Sequence, residues 1–244
     1  MKLAWVKDLG RYAHIAWLRA KADKLPEFNP PGRVLILAPH PDDEAIGCGG
    51  LISRLCFKGR PPHLAIMTGG GGSLQSHSNI SAEKVIAARR QLTVNSARIL
   101  GVPDDHIHFL DFSDGSIAER PEEQLARLRT LAEEVGPDVI LVPHSGEGWP
   151  DHLAVREIGY ELGSTLDTDV WEYCVWMWYY NIWNLDWANG RSLHLDKTER
   201  RAKRKAVDEY VLAMTPEGEP WSGYLPAPFI SAHRSPVELF FRVR

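Results

Sequence analysis

Four short apolar runs, each followed by a longer segment with helical character, dominate the first two thirds of the chain. The runs are VLILA, HLAIM, IHFLDF and DVILVP, and the continuous apolarity of VLILA is typical of a strand covered on both faces. The segments that follow them are EAIGCGGLISRLCFKG, residues 81–100, RPEEQLARLRTLAEEVG and DHLAVREIGYELGSTL. This β–α alternation predicts an α/β fold, a Rossmann-like three-layer αβα arrangement with a mostly parallel sheet. An active site is then expected at the carboxyl ends of the strands.

The rest of the chain divides around this alternation. Residues 3–24 have apolar positions at helical spacing, so we expect residues 1–30 to form an N-terminal amphipathic helix and a linker. The polar face of that helix is basic, but we favour packing on its own domain over a membrane surface. We expect residues 31–244 to form one α/β domain whose C-terminal part, from about residue 168, is rich in aromatic residues and closes with a charged helix and a strand.

Charge and cysteine content exclude several classes of protein. The net charge of −4 gives no basic footprint for nucleic acid. Three scattered cysteines do not make a disulfide framework, so we expect a reducing compartment and therefore the cytoplasm. We find no apolar run long enough for an integral membrane segment, and the charged first residues do not resemble a signal peptide. A homo-oligomer of this chain is possible on these data.

The segment PHPDDE follows the first apolar run directly. His40, Asp42 and Asp43 would lie at a strand end that is at least partly buried, where unpaired charges are costly. A helix N-cap explains one or two of the acids, but not the imidazole as well. A bound cation would compensate the charges, and a second strand end supplies further ligands in Asp151 and His152. Two imidazoles and a carboxylate leave an open position, as in catalytic zinc sites, and the same set suits Fe²⁺.

These motifs resemble those of the zinc-dependent PIG-L / LmbE-like N-deacetylases, which remove the acetyl group from N-acetylglucosaminyl (GlcNAc) conjugates. The resemblance spans roughly residues 33–160, including the glycine-rich loop after IMT, Arg89, LGV and FLDFSDG. It implies that the metal ligands are His40, Asp43 and His152. It further implies that Asp42 is the general base, with Asp151 orienting a catalytic or ligating side chain. A small-molecule or glycan substrate would lose its acetyl group to a metal-activated water.

The second motif departs from the family pattern His-x-Asp-His, because Trp149 stands where the first histidine is usual. An indole N–H can donate a hydrogen bond but cannot transfer a proton at neutral pH. Three alternatives follow: Trp149 donates weakly, another histidine takes the role, or the protein is a slow or inactive relative. Among the other histidines, His144 is our first choice as a catalytic residue, ahead of His194 and His233.

Five residues are candidates for substrate binding. Arg89 would reach a substrate hydroxyl or phosphate, or else lie on a solvated helix face, and its usual glutamate partner is replaced by Leu92. Gly70 and Gly71 belong to a loop that would let backbone approach a ligand, close as a lid, or simply turn. Trp149 and Trp183 are the two tryptophans among these candidates. The chain has nine tryptophans, five of them between Trp171 and Trp187. We expect most of these to fill the core as residues of a strand, and those after Tyr180 to be exposed and functional.

The sequence thus favours a metal-dependent hydrolase that removes the N-acetyl group from a GlcNAc-type conjugate. One alternative is an amidase on a non-sugar N-acyl or thiol-conjugate substrate. Another, motivated by Trp149, is a metal- or glycan-binding pseudoenzyme. A nucleotide-binding module built on GCGG is a weak alternative because GxGxxG is absent.

Overall fold

A computed structural model describes residues 2–73, 80–180 and 183–243. Within these ranges, the strands and helices alternate through β4 and α5, as the sequence predicts. The helices are α1 (Lys2–Ala22), α2 (Asp43–Phe57), α3 (Ala82–Leu100), α4 (Glu122–Val135), α5 (Pro150–Leu166), α6 (Lys197–Val211) and α7 (Ala227–His233). The strands are β1 (Val34–Ala38), β2 (His63–Thr68), β3 (Ile107–Phe112), β4 (Val139–Pro143), β5 (Asp169–Tyr173), β6 (Gly190–His194) and β7 (Val237–Arg242).

The strands form one sheet in the order β3-β2-β1-β4-β5-β7-β6. The first five strands, β1 to β5, are parallel to one another, and β7 is antiparallel to both β5 and β6. Because β1 lies between β2 and β4, the chain reverses its direction of winding there. The carboxyl edge between β1 and β4 is therefore the topological switch point, where α/β proteins bind ligands.

Helices cover both faces of the sheet. On β1, Ile36 packs into the cluster that includes α2, α3 and α6, whereas Leu35 and Leu37 pack into the cluster that includes α4 and α5. A third cluster joins α1 to β7 and the turn at 176–178, with Ile15 and Leu18 buried. The structure confirms the expected three-layer αβα fold with a mostly parallel sheet. No helix in the described ranges is both long and apolar enough to cross a membrane.

The GCGG segment has a packing explanation. A Cβ on Gly47 would lie 2.3 Å from the Tyr173 ring, and one on Gly50 would lie 2.3 Å from Leu195. The glycines let α2 lie close to the sheet, where the Tyr173 hydroxyl donates to the carbonyl of Leu37 at 2.9 Å. Helix packing therefore explains these glycines, which is evidence against the nucleotide-binding alternative.

The aromatic segment differs from the expected long strand. Strand β5 ends at Tyr173, and a short 3₁₀ turn at 176–178 follows. The chain turns there because the buried carboxylate of Glu147 accepts hydrogen bonds from backbone N–H groups of the turn, at 2.8 Å from Val175 and 2.5 Å from Trp176. Sequence periodicity also missed the short elements β6 and α7. Residues 74–79 of the predicted loop lie outside the described residues.

Candidate metal centre

The sequence-predicted residues meet at the carboxyl edge between β1 and β4. His40, Asp42 and Asp43 follow β1 and begin α2, while Asp151 and His152 begin α5, which follows β4. Both helices direct their N-terminal N–H groups and positive dipole ends toward this edge, which favours carboxylates there. Asp42 adopts φ 117°, a left-handed conformation that non-glycine residues adopt only where surrounding contacts enforce it.

His40, Asp43 and His152 each present a donor atom, and these atoms lie within 4.8 Å of one another. His40 Nδ1 is 3.2 Å from Asp43 Oδ2, and His152 Nε2 is 3.3 Å from the same oxygen. Neighbouring ligand atoms in a tetrahedral site with bonds of about 2.0–2.1 Å are about 3.3 Å apart, so the donor set fits a small divalent cation. The Asp43 and His152 side chains are at most 3% exposed and His40 is 21% exposed, so access is from the His40 side.

The charges in this group are tightly coupled. Burial opposes protonation of His152, but Asp43 and Glu147 outweigh it and raise the pKa of His152 to about 9. Burial acts to raise the pKa of Asp43, but the two imidazoles hold it well below its usual value. Without a cation, protons therefore occupy the imidazoles, and a metal would displace them on binding.

Two carboxylates hold the other nitrogen of His40. His40 Nε2 is 3.2 Å from Asp114 Oδ1 and 3.3 Å from Asp151 Oδ2. Asp151 Oδ2 also accepts the Gly115 N–H at 2.7 Å, and Asp114 Oδ2 accepts the Gly72 N–H at 2.7 Å. An Nε2–H donated to carboxylates leaves Nδ1 free as a ligand, which is the usual carboxylate–histidine–metal arrangement. Our sequence reasoning gave no role to Asp114; its place in FLDFSDG, directly after β3, was the available signal.

Glu147 was also missed by our sequence reasoning. Its carboxylate is fully buried, and Oε2 lies 3.5 Å from His152 Nδ1 without forming a hydrogen bond with it. The same carboxylate accepts the backbone N–H groups at the start of the 176–178 turn. It therefore lies between His152, a candidate metal ligand, and the aromatic segment. The sequence offered little signal, because a lone glutamate in a glycine-containing loop is usually a solvated residue.

Arg89 holds the predicted general base rather than facing solvent. Its guanidinium donates to Asp42 Oδ2 at 3.1 Å, to the Pro41 carbonyl at 2.5 Å and to the Gly70 carbonyl at 3.0 Å. Arg89 is 4% exposed, so the solvated-face alternative is wrong. Burial raises the pKa of Asp42 to about 7, although the Arg89 charge opposes this. Gly70 has φ +64°, and a Cβ there would lie 2.0 Å from Arg89 Nη1, so the missing side chain accommodates this arginine.

Glu44, the last acid of the motif, supports the start of α2. Its Oε2 accepts the backbone N–H of Asp42 at 3.1 Å, and its Oε1 accepts the Tyr210 hydroxyl at 2.6 Å. Burial raises the pKa of Glu44 to about 7. Glu44 therefore holds the backbone of Asp42, whereas Arg89 holds its carboxylate.

The candidate replacement histidines lie elsewhere. His144 Nδ1 accepts the Gly146 N–H at 2.9 Å, and Nε2 faces Glu172 at 3.6 Å, so the structure does not bring its ring to the metal ligands. His233 is buried, with Nε2 3.0 Å from the Val175 carbonyl. His194 is half exposed and lies 3.9 Å from Asp23.

The three remaining predicted residues, Trp149, Trp183 and Gly71, lie in different places. Trp149 caps α5 beside the site: it is 45% exposed, its ring lies 5.6 Å from that of Trp176, and its side chain hydrogen-bonds to Tyr180. Trp183 is 59% exposed and contacts Trp17 and His14 of α1, with ring centroids 5.0 and 4.8 Å apart. A Cβ on Gly71 would contact Ile86 at 3.2 Å, so this glycine lies against α3.

The fold and the site together define a class: an α/β protein with a His-Asp-His metal-binding group and an adjacent buried carboxylate at the switch point of its sheet. The sequence pattern of the PIG-L family, described as GlcNAc-PI de-N-acetylase, matches residues 35–162, which is more than half of the chain. The chain belongs to this family, as the resemblance of its motifs predicted.

Individual relatives agree with this placement. Diacetylchitobiose deacetylase from Thermococcus kodakarensis is 33% identical over 140 residues, covering 56% of this chain and 51% of that protein. A probable N-acetyl-α-D-glucosaminyl L-malate deacetylase 2 from Bacillus subtilis is 30% identical over 135 residues, covering 51% and 57%. The chain therefore spans little more than half the length of these relatives.

The fold is also similar to that of a solved deacetylase. N,N′-diacetylchitobiose deacetylase from Pyrococcus horikoshii superposes with a TM-score of 0.57 and 25% sequence identity, covering 72% of this chain and 68% of that one. PIG-L deacetylases are metal-dependent, and the metal-binding group found here is consistent with that property.

Proposed function

We propose that the chain is a metal-dependent hydrolase that removes the N-acetyl group from a GlcNAc-type sugar conjugate. The observation that carries this proposal is the convergence of His40, Asp43 and His152 beside the buried carboxylate of Asp42. The relatives act on diacetylchitobiose or, by name, GlcNAc-malate, which supports an acetylated amino sugar as the substrate class.

The residues divide the chemistry as follows. His40, Asp43 and His152 would hold a divalent cation, which when bound supplies Lewis acidity toward water and the amide carbonyl. Asp42 takes a proton from the attacking water, and Arg89 and Glu44 fix its position. The acetyl C–N bond then breaks, acetate forms, and Asp42 returns the proton to the departing amine. Asp151 and Asp114 keep His40 in the ligating tautomer.

Trp149 is proposed as a substrate-contacting residue rather than as an acid. It lies one residue before α5, next to Asp151 and His152, and nearly half of its surface is exposed. An aromatic face of this kind can pack on the apolar face of a sugar ring. We propose Arg89, Gly70 and Gly71 as neighbouring substrate-site residues, with Arg89 acting through its hydrogen bond to Asp42.

We propose zinc as the ion, because two imidazoles and one carboxylate are typical of catalytic zinc sites, with Fe²⁺ as the alternative. We also propose the cytoplasm as the location. The three cysteines are free, two of them buried, which is consistent with a reducing compartment.

The test measures bound metal by elemental analysis and acetate release from N-acetylglucosamine, diacetylchitobiose and GlcNAc-malate. Wild type is compared with Asp42→Asn and with Asp105→Asn, which removes an exposed carboxylate elsewhere. We expect about one metal per chain in all three proteins. Loss of a general base costs about 10²–10⁴-fold in rate, so Asp42→Asn should lose activity while Asp105→Asn keeps it.

A specific observation favours a second candidate, a metal- or glycan-binding protein without hydrolysis. The position before Pro150 holds an indole, and the structure does not bring His144 to the ligands. Bound metal with no acetate release from any of these substrates, together with sugar binding, would support this candidate. Absence of bound metal from the purified and metal-supplemented protein would refute the hydrolase and the metal-binding form of the second candidate, and absence of sugar binding as well would refute the second candidate altogether.

A further inference from the structure

A groove lined entirely by basic residues lies on the outer face of α6. It has a volume of about 250 Å³, and its lining residues are Lys197, Arg200, Arg201, Arg204 and Arg234. The four from α6 follow the spacing i, i+3, i+4, i+7, which places them on one face of the helix. Arg234, at the end of α7, forms the other wall, so the charges enclose a concave surface rather than a plain helix face.

Few counter-charges balance these cations. Asp208 pairs with Arg234 at 2.7 Å and with Arg204 at 3.6 Å. In the described ranges, no salt bridge joins Lys197, Arg200 or Arg201 to a carboxylate. The two acids adjacent in sequence are engaged elsewhere: Glu199 is bound by Arg54 at 2.7 Å, and Asp196 accepts the backbone N–H groups of Thr198 and Glu199.

Another cation of the same helix shows the contrast. Lys203 is buried and pairs with the buried Glu238 at 2.7 Å. The helix therefore neutralises its inward charge internally and leaves its outward charges to solvent. On α1, burial and, to a smaller extent, the charge of Arg200 lower the pKa of Arg19.

The groove is distinct from the metal centre. Helix α6 lies antiparallel to α2: Glu199 contacts Arg54 near the end of α2, whereas Tyr210 contacts Glu44 at its start. Since the metal ligands adjoin the start of α2, the groove occupies the half of α6 that is remote from them. The cations therefore have no part in the chemistry proposed above.

We propose that this groove binds the phosphate groups of a multiply charged anion. Three arginine guanidiniums without full carboxylate partners offer planar donor pairs that match phosphate oxygens. Five cations in one groove, with Asp208 as the one paired carboxylate among the described residues, repel one another, and a bound anion would relieve this repulsion. The phosphate belongs either to a soluble compound or to a phospholipid headgroup.

The experiment uses the full chain and two probes. Inorganic pyrophosphate is titrated calorimetrically, and co-sedimentation is measured with phosphatidylcholine vesicles that contain or lack phosphatidylglycerol. The variant is Arg200→Gln/Arg201→Gln, and the control is Arg98→Gln/Arg129→Gln, which makes the same charge change at exposed sites on α3 and α4. Thermal unfolding verifies that both variants are folded, since exposed ion pairs contribute little to stability.

Pyrophosphate binding that weakens about tenfold in the groove variant, but not in the control, identifies a soluble phosphate ligand. Binding only to phosphatidylglycerol vesicles, weakened by about fivefold per charge or about 30-fold in total, identifies a headgroup site. Equal binding by the variant and the control overturns the proposal, as does the absence of binding to both probes at low salt.

Discussion

Glu147 offers the most informative single change in the chain. We expect Glu147→Gln to weaken metal binding although the residue is not itself among the proposed ligands. Its carboxylate is fully buried between His152 Nδ1, at 3.5 Å, and the N–H groups of the 176–178 turn. The amide has nearly the same shape but lacks the charge and replaces one acceptor oxygen by a donor.

The expected magnitudes follow from these contacts. If the amide oxygen keeps the bond from Val175, the amide nitrogen must face the Trp176 N–H, which now has no acceptor. Loss of one hydrogen bond to a charged group costs about 1.5–3 kcal/mol, so we expect the free energy of unfolding to fall by about 3 kcal/mol. For a chain of this size the midpoint of thermal unfolding should fall by roughly 6–12 °C. Loss of a carboxylate that supports a ligating histidine typically costs about 10–100-fold in metal affinity, and the 3.5 Å separation without a hydrogen bond puts the expected loss at about 10-fold.

The assay is competition for Zn²⁺ against a chromophoric chelator, with denaturant unfolding of the metal-free proteins in parallel. The matched control is Glu172→Gln, because Glu172 is also buried and accepts from Arg156 at 2.6 Å and from Tyr160, away from the metal ligands. We expect both variants to be destabilised but only Glu147→Gln to lose zinc affinity. Equal zinc affinity in the two variants would refute the orienting role and leave Glu147 a structural residue.

Three further predictions test other parts of the molecule. Burial, and then the Lys203 charge, lower the pKa of His233 to about 3, so its neutral form contributes stability at pH 7 that is lost as the pH falls below about 6.5. This loss is about 2 kcal/mol between pH 7 and pH 5, and His233→Gln should remove it from the pH dependence of urea unfolding. Gly70→Ala should lower kcat/KM by about 10²-fold, because the added Cβ would displace Arg89. The control is Gly59→Ala, which is also at positive φ but has open space around it, and it should affect only the midpoint of thermal unfolding. Chelation should lower the thermal midpoint of wild type, and Zn²⁺ should restore it, but neither should affect Asp43→Ala.

Each of these predictions has a contradicting result. An unchanged acid-side slope in His233→Gln would mean that this imidazole is not buried in its neutral form. Equal activity of Gly70→Ala and Gly59→Ala would mean that the position of Arg89 does not matter to the reaction. A zinc-dependent rise in the midpoint of Asp43→Ala would place the metal on other ligands.

The sequence determined the fold class because the signals concerned are local. Apolar runs of five or six residues followed by helical segments leave few arrangements other than a parallel sheet covered on both faces. The PHPDDE and PDH motifs each follow such a run, so their common location at one sheet edge followed from topology. The family resemblance then implied His40, Asp43 and His152 as the metal ligands, and the structure brings these three side chains together.

The supporting contacts were decided by tertiary structure alone. Glu147 has little sequence signal and Asp114 has only its place in FLDFSDG, and the two lie beside His152 and His40, which come from other loops. From sequence, Arg89 was a candidate for substrate binding or for a solvated helix face. In the structure it is buried, and its guanidinium donates to the Gly70 carbonyl and to the Asp42 carboxylate. No local pattern encodes such contacts, because they depend on the separation of elements far apart in the chain.

The same distinction applies to the aromatic segment and to the basic groove. Residue types predicted a β-prone stretch after residue 168, but the buried Glu147 carboxylate ends the strand and sets the turn there. The sequence placed basic residues on α6, but only the packing of α7 beside it makes a groove with Arg234. Sequence by itself determined which elements form and which residues carry charge. The tertiary structure decided which charges are neutralised, because burial and counter-charge depend on what packs against each side chain.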